Sequence, residues 1–381
     1  MPLQVTNVQQ REHVFVSALP GLEPALEAEA DALGLSPRKV EGGVELSGGP
    51  GLHQEANLRL RTASRVLLRL GRFPAPDAGA LAKGLAGLPL GPVWDGRTAP
   101  KLSVTLHHAR LKGPDAVLGA AARAWGLPSV GRAGPLDEEP SEGLTLLVRL
   151  EGDSCTVSAD TSGEPLHRRG YRQEVSRAPL RETLASGILV LAGYDGVEPL
   201  VDPMCGSGTF LIEGAWMSQR RAPGLSRAFA FEGFPGFDAA GWAARKARAQ
   251  AEALPAPRSP LRGHDLNAGA LGTARRNARR AGLTLTLERQ DVRALAAPAG
   301  LGRGLVVVNP PYGKRVGEAE DLPGLYHALG ATLRRAFAGW RAALLVPEDA
   351  GLIRALGLPE GRSLPVRNGG LRCRLLLTPL P

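Results

Sequence analysis

The spacing of apolar residues changes near position 178 of the 381-residue chain. Before it, short stretches alternate apolar and polar positions, as in HVFVSAL, GVELSG, RVLLRLGRF, KLSVTLHHARL and LTLLVRLEGDSCTVSAD. Period-two alternation predicts half-buried strands. Between them, GLEPALEAEADALGL and GPDAVLGAAARAWGL repeat at helical spacing. The mixture predicts small α+β units. Connectors rich in Gly and Pro at 74–76, 88–92 and 133–140 mark candidate boundaries. The arginines at 61, 65 and 69 keep helical spacing inside a stretch that alternates like a strand, so the pattern assigns them no face.

After residue 178 the rhythm becomes strand, glycine loop, helix, repeated. PLVDPMCGSGTFLIEGAWM reads as an apolar strand ending at Asp202, a loop holding Gly206 and Gly208, and a helix. RGHDLNAGALGTARRNARRAGL places Asp265 at a strand end, Asn267 as a helix cap and Gly282 as its stop. TLTLERQDV alternates into Asp291, and GLVVVNPPY is a buried strand that halts at an amide and two prolines. AALLVPED follows, then RSLPV and LRCRLLLT joined through Asn368, Gly369 and Gly370 as a hairpin. Strands alternating with helices predict a mainly parallel, doubly wound α/β sheet, which binds ligands at the carboxyl ends of its strands. Every chemically suggestive residue above falls at such an end. Between the glycine loop and Asp265 lie more residues than a minimal βαβ unit uses, so 219–257 is an insertion, a lid over a ligand or extra packing for the sheet.

Composition narrows this picture modestly. Apolar and charged contents of 43% and 22% suit globular domains, no apolar run is long enough to cross a bilayer, and the opening MPLQVTNVQQREH has no signal-peptide layout. A cytoplasmic protein without membrane association is expected. Three scattered cysteines and the pair His107–His108 with no third ligand predict neither a disulfide framework nor a metal site. The net charge of +9 is uneven: residues 1–165 hold 16 Lys+Arg against 19 Asp+Glu, whereas 166–381 hold 30 against 18. That surplus suits a polyanionic partner, although an arginine-rich, Ala/Gly/Pro-rich composition also accounts for it.

The glycine loop exposes backbone amides at a helix start. Leu211 stands where a dinucleotide fingerprint needs its third glycine, and the lysine of a P-loop is missing, which counts against NAD, FAD and ATP. Asp265 can accept two ribose hydroxyls, Asp291 an adenine amino group, and Asp202 can orient toward a cationic ligand. One ribose, one adenine, no phosphate grip and acids nearby describe S-adenosylmethionine better than a nucleotide.

The ordered set DPMCGSGT, Asp265, QDV and NPPY resembles the motifs of class I S-adenosylmethionine-dependent methyltransferases that modify exocyclic amino groups. The upstream segment DTSGEPLHRRGYRQEVSRAPLRETLAS narrows the resemblance to the THUMP-domain RNA guanine-N2 methyltransferases. That family acts on large-subunit ribosomal RNA or on tRNA, and the likeness covers 155–345 strongly and the earlier residues more loosely. It implies a Rossmann-like methyltransferase domain over 179–381 behind a linker at 161–178. It further implies a ferredoxin-like segment over 1–75 and a THUMP RNA-binding domain over 76–160. It assigns the cofactor to Glu182, Thr183, Asp202, Pro203, Cys205, Gly206, Gly208, Thr209, Asp265, Asp291, Val292 and Asn309. Catalysis falls to Asn309, Pro310, Pro311 and Tyr312. A monomer acting on ribosomal RNA, with tRNA as the alternative, is the expected form.

The chemistry of NPPY follows from the acceptor. A purine amino group delocalises its lone pair into the ring and is a poor nucleophile. Acceptors at the Asn309 side chain and the Pro310 carbonyl would localise it, two prolines would keep them rigid, and Tyr312 would stack on the base. Arg168, Arg169, Tyr171, Arg172, Lys314 and Arg315 are candidate RNA contacts, against the plain reading of solvated surface. An adenine-N6 DNA methyltransferase shares the NPPY chemistry, and an idle RNA-binding protein is the third reading. The α+β N-terminal half favours RNA.

Overall fold

The computed structural model describes residues 4–5, 11–134, 143–173, 180–296, 300–312 and 321–381. The chain divides into two units: Met1–Ala18, Ala30–Leu166 and Gly224–Arg248 form the first, and Leu19–Glu29, His167–Pro223 and Ala249–Pro381 the second. Among the described residues no helix is long and apolar enough to cross a membrane.

The first unit is built on one nine-stranded sheet. Its strands are β1 (Gln4–Val5), β2 (Glu12–Ser17), β3 (Arg38–Val40), β4 (Gly43–Gly48), β5 (Arg65–Pro74), β6 (Lys101–His107), β7 (Gly131–Arg132), β8 (Thr145–Glu151) and β9 (Ser154–Asp160). Their order is β3-β4-β2-β5-β9-β8-β6-β7, with β1 also on β5. β6 runs parallel to β7 and β8, and the remaining pairs are antiparallel. The alternation seen in the sequence sends Val14, Val16, Val44 and Leu46 into the core. On β5, Arg65 turns inward: it is 2% exposed, ion-paired with Asp160 of β9, and donates to the Gly163 carbonyl at 2.8 Å.

The insertion belongs to this first unit from Gly224 to Arg248. Phe229, Phe231 and Trp242 are buried and stack or meet edge to face at 5.0–5.8 Å. Arg227 donates to the carbonyls of Pro165 at 2.8 Å and Glu164 at 2.6 Å, and Arg248 pairs with Glu55 at 3.0 Å. This aromatic cluster is a core of the N-terminal sheet's own unit.

The second unit holds a seven-stranded sheet: β10 (Leu200–Asp202), β11 (Leu261–Asp265), β12 (Thr286–Arg289), β13 (Leu305–Val308), β14 (Arg341–Pro347), β15 (Arg362–Asn368) and β16 (Leu371–Pro379). The order is β12-β11-β10-β13-β14-β16-β15. β10 to β14 are parallel, and β16 runs antiparallel to both β14 and β15. Parallel strands covered on both faces read as continuous apolar runs. In β13, Leu305 and Val307 enter one core while Val306 and Val308 enter the other, all at most 1% exposed. Caps follow the sequence: Asn267 accepts from Gly269 and Ala270 at 2.9 and 3.1 Å to start the helix Ala268–Arg280, and Gly282 after it has φ +73°.

Leu22, from the stretch Leu19–Glu29, is fully buried in the core of this second unit, and a Cβ on Gly187 would lie 2.7 Å from its Cδ1. Residues 170–381 therefore lack one side chain of their own core. Leu22→Ala should destabilise the second unit by about 2 to 5 kcal/mol, the range for a buried leucine that leaves a cavity. Urea unfolding followed by the fluorescence of Trp216 and Trp340 measures this, and an unchanged midpoint would remove Leu22 from the core.

Candidate functional site

The second unit's sheet reverses its winding between β10 and β13, where an open α/β sheet forms its ligand crevice. Asp202 closes β10, Asp265 closes β11, Asp291 lies two residues beyond β12, and Asn309 immediately follows β13. Four adjacent parallel strands thus deliver all four polar residues to one edge. Adjacent strands lie about 4.8 Å apart, so their backbones are close neighbours there.

The glycine loop is tied to that edge by backbone hydrogen bonds. Cys205 N–H donates to the His264 carbonyl at 2.8 Å, and Gly208 N–H to the Cys205 carbonyl at 2.8 Å. Gly206 (φ +52°) and Gly208 (φ +82°) both need the left-handed region. A Cβ on Gly206 would meet nothing within 4 Å, so the loop presents bare backbone to open space. Gly208 starts the helix Thr209–Ser218 and faces Ala274, whose Cβ would be 3.1 Å from an added Cβ.

Asp265 is half-buried and organises the edge. One carboxylate oxygen accepts Gly206 N–H at 2.8 Å and the other accepts Asn267 N–H at 2.8 Å. Each oxygen keeps a further lone pair. Asp202 is 2% exposed and accepts Met204 N–H at 3.1 Å. Burial pushes its carboxyl well above the usual range, the nearby Asp265 adds to this, and the Met204 amide opposes it. A cation brought beside Asp202 would oppose that rise. Asp291 is half-exposed, accepts Arg293 N–H at 2.8 Å and pairs with the Arg293 guanidinium at 3.1 Å, while Val292 is buried beneath it. Pro203 lies in the turn between β10 and the loop. Cys205 is 6% exposed and burial drives its thiol pKa up, which suits packing and not nucleophilic attack.

At Asn309 the structure leaves an acceptor unmet. The side-chain Oδ1 is buried and no described residue donates to it. Leaving a buried amide oxygen unpaired costs about 1 to 3 kcal/mol, so native folds rarely carry one without a use for it. Pro310 is buried and Pro311 half-buried. Tyr312 departs from expectation: it is 2% exposed, sits in a core cluster, and its hydroxyl accepts from Asn368 Nδ2 at 2.7 Å and from Cys373 Sγ at 3.8 Å. Its ring braces the NPPY turn against the β15–β16 hairpin and is not open to a base in this form.

The basic cluster upstream also differs from the expected RNA contacts. Arg169 and Tyr171 are each 2% exposed, and Arg172 is largely buried. Tyr171 donates to Glu213 at 3.1 Å and Ser186 donates to it at 2.6 Å, with Arg169 at 3.8 Å. Arg172 pairs with Glu182 at 3.5 Å and donates to Thr209 Oγ1 at 2.7 Å and the Leu180 carbonyl at 2.8 Å. Buried cations next to a fully buried Glu213 are internal ties; a phosphate could not reach them. Their effect is to fasten Arg169, Tyr171 and Arg172 to the helix that begins at the glycine loop. Glu182 and Thr183 are both buried there. Burial raises the Glu182 carboxyl to about 7, Glu213 adds to the rise and Arg172 opposes it. Arg168 is exposed, whereas Lys314 and Arg315 lie outside the described residues.

Residues 169–376 match the family described as the RMKL-like methyltransferase domain, and residues 13–67 match the RlmL ferredoxin-like domain. The chain belongs to the RMKL-like methyltransferase family. A relative named ribosomal RNA large subunit methyltransferase K/L, from Methylococcus capsulatus, is 39% identical over 384 residues, covering 95% of this chain and 50% of that protein. The chain spans about half the length of the curated relatives it matches. Two solved structures resemble the chain over nearly its whole length. SMU.472, solved in complex with S-adenosylhomocysteine, has a TM-score of 0.83 at 26% identity and covers 98% of this chain and 99% of its own. A "predicted N6-adenine-specific DNA methylase" from Listeria monocytogenes has a TM-score of 0.82 at 27% identity, covering 98% and 97%.

Within this RMKL-like methyltransferase domain, one side chain escaped the sequence reading. Leu266, directly after Asp265, is 59% exposed, one of few large apolar side chains so displayed among the described residues. An exposed leucine beside Asp265 presents an apolar face at the sheet's carboxyl edge. Its signal in the sequence was slight, because a leucine after a strand reads as ordinary core.

Proposed function

We propose that this chain transfers a methyl group from S-adenosylmethionine to the exocyclic N2 of a guanosine in large-subunit ribosomal RNA. The observation that carries the reading is the buried Asn309 Oδ1, to which no described residue donates, at the carboxyl edge of a methyltransferase-family sheet. The names of the curated relatives and the S-adenosylhomocysteine held by SMU.472 support the substrate and the cofactor.

The residues present fit that cofactor. Asp265 keeps outer lone pairs for two ribose hydroxyls, Gly206 leaves open space for close approach, Leu266 offers the base an apolar face, and Asp291 an acceptor. Asp202 would meet the methionine ammonium, and Glu182, Thr183, Thr209 and Val292 would support the pocket from behind. S-adenosylmethionine, when bound, supplies an electrophilic methyl group. Asn309 Oδ1 and the Pro310 carbonyl each accept one N–H of the target amine. This turns its lone pair out of conjugation, and the same two dipoles stabilise the positive charge that grows on nitrogen. Tyr312 holds the turn through Asn368.

In this reading the modules of 1–75 and 76–160 capture RNA, Arg168, Lys314 and Arg315 contact its backbone, and the protein acts as a monomer in the cytoplasm. The test is nucleoside mass spectrometry after incubating the full chain with S-adenosylmethionine and separately purified 23S ribosomal RNA, tRNA and duplex DNA. N2-methylguanosine in ribosomal RNA is expected. The same nucleoside in tRNA would transfer the substrate assignment, N6-methyladenine in DNA would establish the alternative reading, and no product in any of the three would overturn the proposal.

A further inference from the structure

The first unit contains a cavity of about 500 Å3 that has no part in the site described above. Its walls come from β2, the helix Leu52–Arg59, the connector around Pro92 and the aromatic insertion. Cavities of 300–1,000 Å3 with an apolar lining and a few fixed polar groups are the usual size for small-molecule and cofactor sites.

The polar groups in this wall are held rigidly. Glu12 is 3% exposed and accepts Gly51 N–H at 2.8 Å, His53 N–H at 2.9 Å and the His53 ring at Nδ1, 2.8 Å. Burial acts to raise its carboxyl, but the bonds and charge from His53 and the Gly51 amide outweigh that and keep it below the usual range. An ionised carboxylate only accepts, so Nδ1 carries the hydrogen and Nε2 is the ring nitrogen left for a ligand. Phe231 meets the imidazole edge to face at 5.3 Å and fixes its plane.

Arg245 is similarly pre-set. Its Nη2 donates to the Pro50 carbonyl at 2.8 Å and its Nε to Gln54 Oε1 at 3.2 Å. The guanidinium lies across Gly51, where a Cβ would come within 2.0 Å of Nη2. Nη1 bonds no described residue. Asp238 uses Oδ1 to accept Gly241 N–H at 2.9 Å, and its Oδ2 bonds no described residue. Phe234 and Phe237 line the same cavity half-buried, each with ring surface to offer.

A spare guanidinium donor, a fixed imidazole nitrogen, a carboxylate acceptor and half-covered aromatic rings in one cavity match the parts of a nucleotide. We infer that this cavity takes one unpaired nucleotide of an RNA strand, its base against Phe234 and Phe237, its phosphate on Arg245 and its polar edge toward His53 and Asp238. Single-stranded RNA is recognised through such splayed, stacked bases, with arginine on the phosphate. The inference rests on the reading of the chain as an RNA enzyme and adds a second contact to it, outside the methyl-transfer site.

The test titrates the full chain, saturated with S-adenosylhomocysteine, with UMP and GMP and follows binding by saturation-transfer NMR and calorimetry. Saturable binding is expected, with the unphosphorylated nucleosides about tenfold weaker or more. Phe234→Leu and Arg245→Gln should each weaken it by about tenfold or more while S-adenosylhomocysteine affinity is kept, which also reports that the chain is folded. No saturable binding, binding that both variants retain, or a preference for a short acidic aromatic peptide over the nucleotides would overturn the inference. Methylation by the wild-type chain is read separately. A chain that methylates RNA but binds neither nucleotide sinks the cavity assignment alone, and the reverse result sinks the functional reading alone.

Discussion

Asn309→Ala should lower the methylation rate by about 10² to 10³-fold, the loss typical of removing one preorganised dipole aimed at developing charge. The effect should fall on turnover. Asn309 Oδ1 is proposed to hold the target amine as positive charge grows, so it should contribute little to cofactor binding, and S-adenosylmethionine affinity should stay within a few-fold of wild type. Stability should change little or improve slightly, because the substitution removes a buried oxygen that has no donor among the described residues. Asn309→Asp keeps an acceptor at the same place and should retain more activity than Asn309→Ala. Single-turnover methylation of ribosomal RNA, with cofactor affinity from calorimetry, separates these effects. Near-normal turnover in Asn309→Ala would remove the mechanism proposed for NPPY.

Asp265→Ala should weaken S-adenosylmethionine binding by about 1 to 3 kcal/mol, the range for truncating a charged hydrogen-bond partner. Two losses combine. The ribose acceptor disappears, and the Gly206 and Asn267 amides, each 2.8 Å from this carboxylate, lose their partner, which leaves the Cys205 N–H bond to the His264 carbonyl to hold the glycine loop on β11. Asp265→Asn retains one acceptor oxygen and should fall between the alanine variant and wild type. Calorimetry on the full chain, with circular dichroism to verify folding, is the measurement. Unchanged affinity in folded Asp265→Ala would refute the ribose role.

Much of the second unit was legible in the sequence because its signals are local. β13 reads as VVV because a central parallel strand is covered on both faces, and Asn267 and Gly282 frame a helix by chemistry that acts within a turn. The position of the site followed from the same logic. Asp202, Asp265, Asp291 and Asn309 each end or follow a parallel strand, and such strands share a carboxyl edge.

What a side chain meets across the fold was not legible. HRRGYR reads as a basic surface, yet Arg169 and Tyr171 turn inward because Glu213, some forty residues later and fully buried, needs their donors. Tyr312 reads as an aromatic platform beside a reactive turn, yet the hairpin from Arg362 to Pro379 supplies Asn368 and Cys373 to hold its hydroxyl. Leu22 reads as a residue of the N-terminal α+β unit, yet it fills the core of the second.

The sequence by itself determined the strand and helix succession, the parallel sheet, the capped helices and the residues delivered to its carboxyl edge. Each of these depends on period, turn chemistry or strand order, which neighbouring residues encode. The tertiary structure alone decided that the insertion's aromatic rings complete the N-terminal unit, that the arginines at 169 and 172 are internal ties, and that Asn309 keeps an acceptor to which no described residue donates. These depend on which distant group arrives to satisfy a buried charge, ring or amide, and in low dielectric that pairing outweighs any local preference.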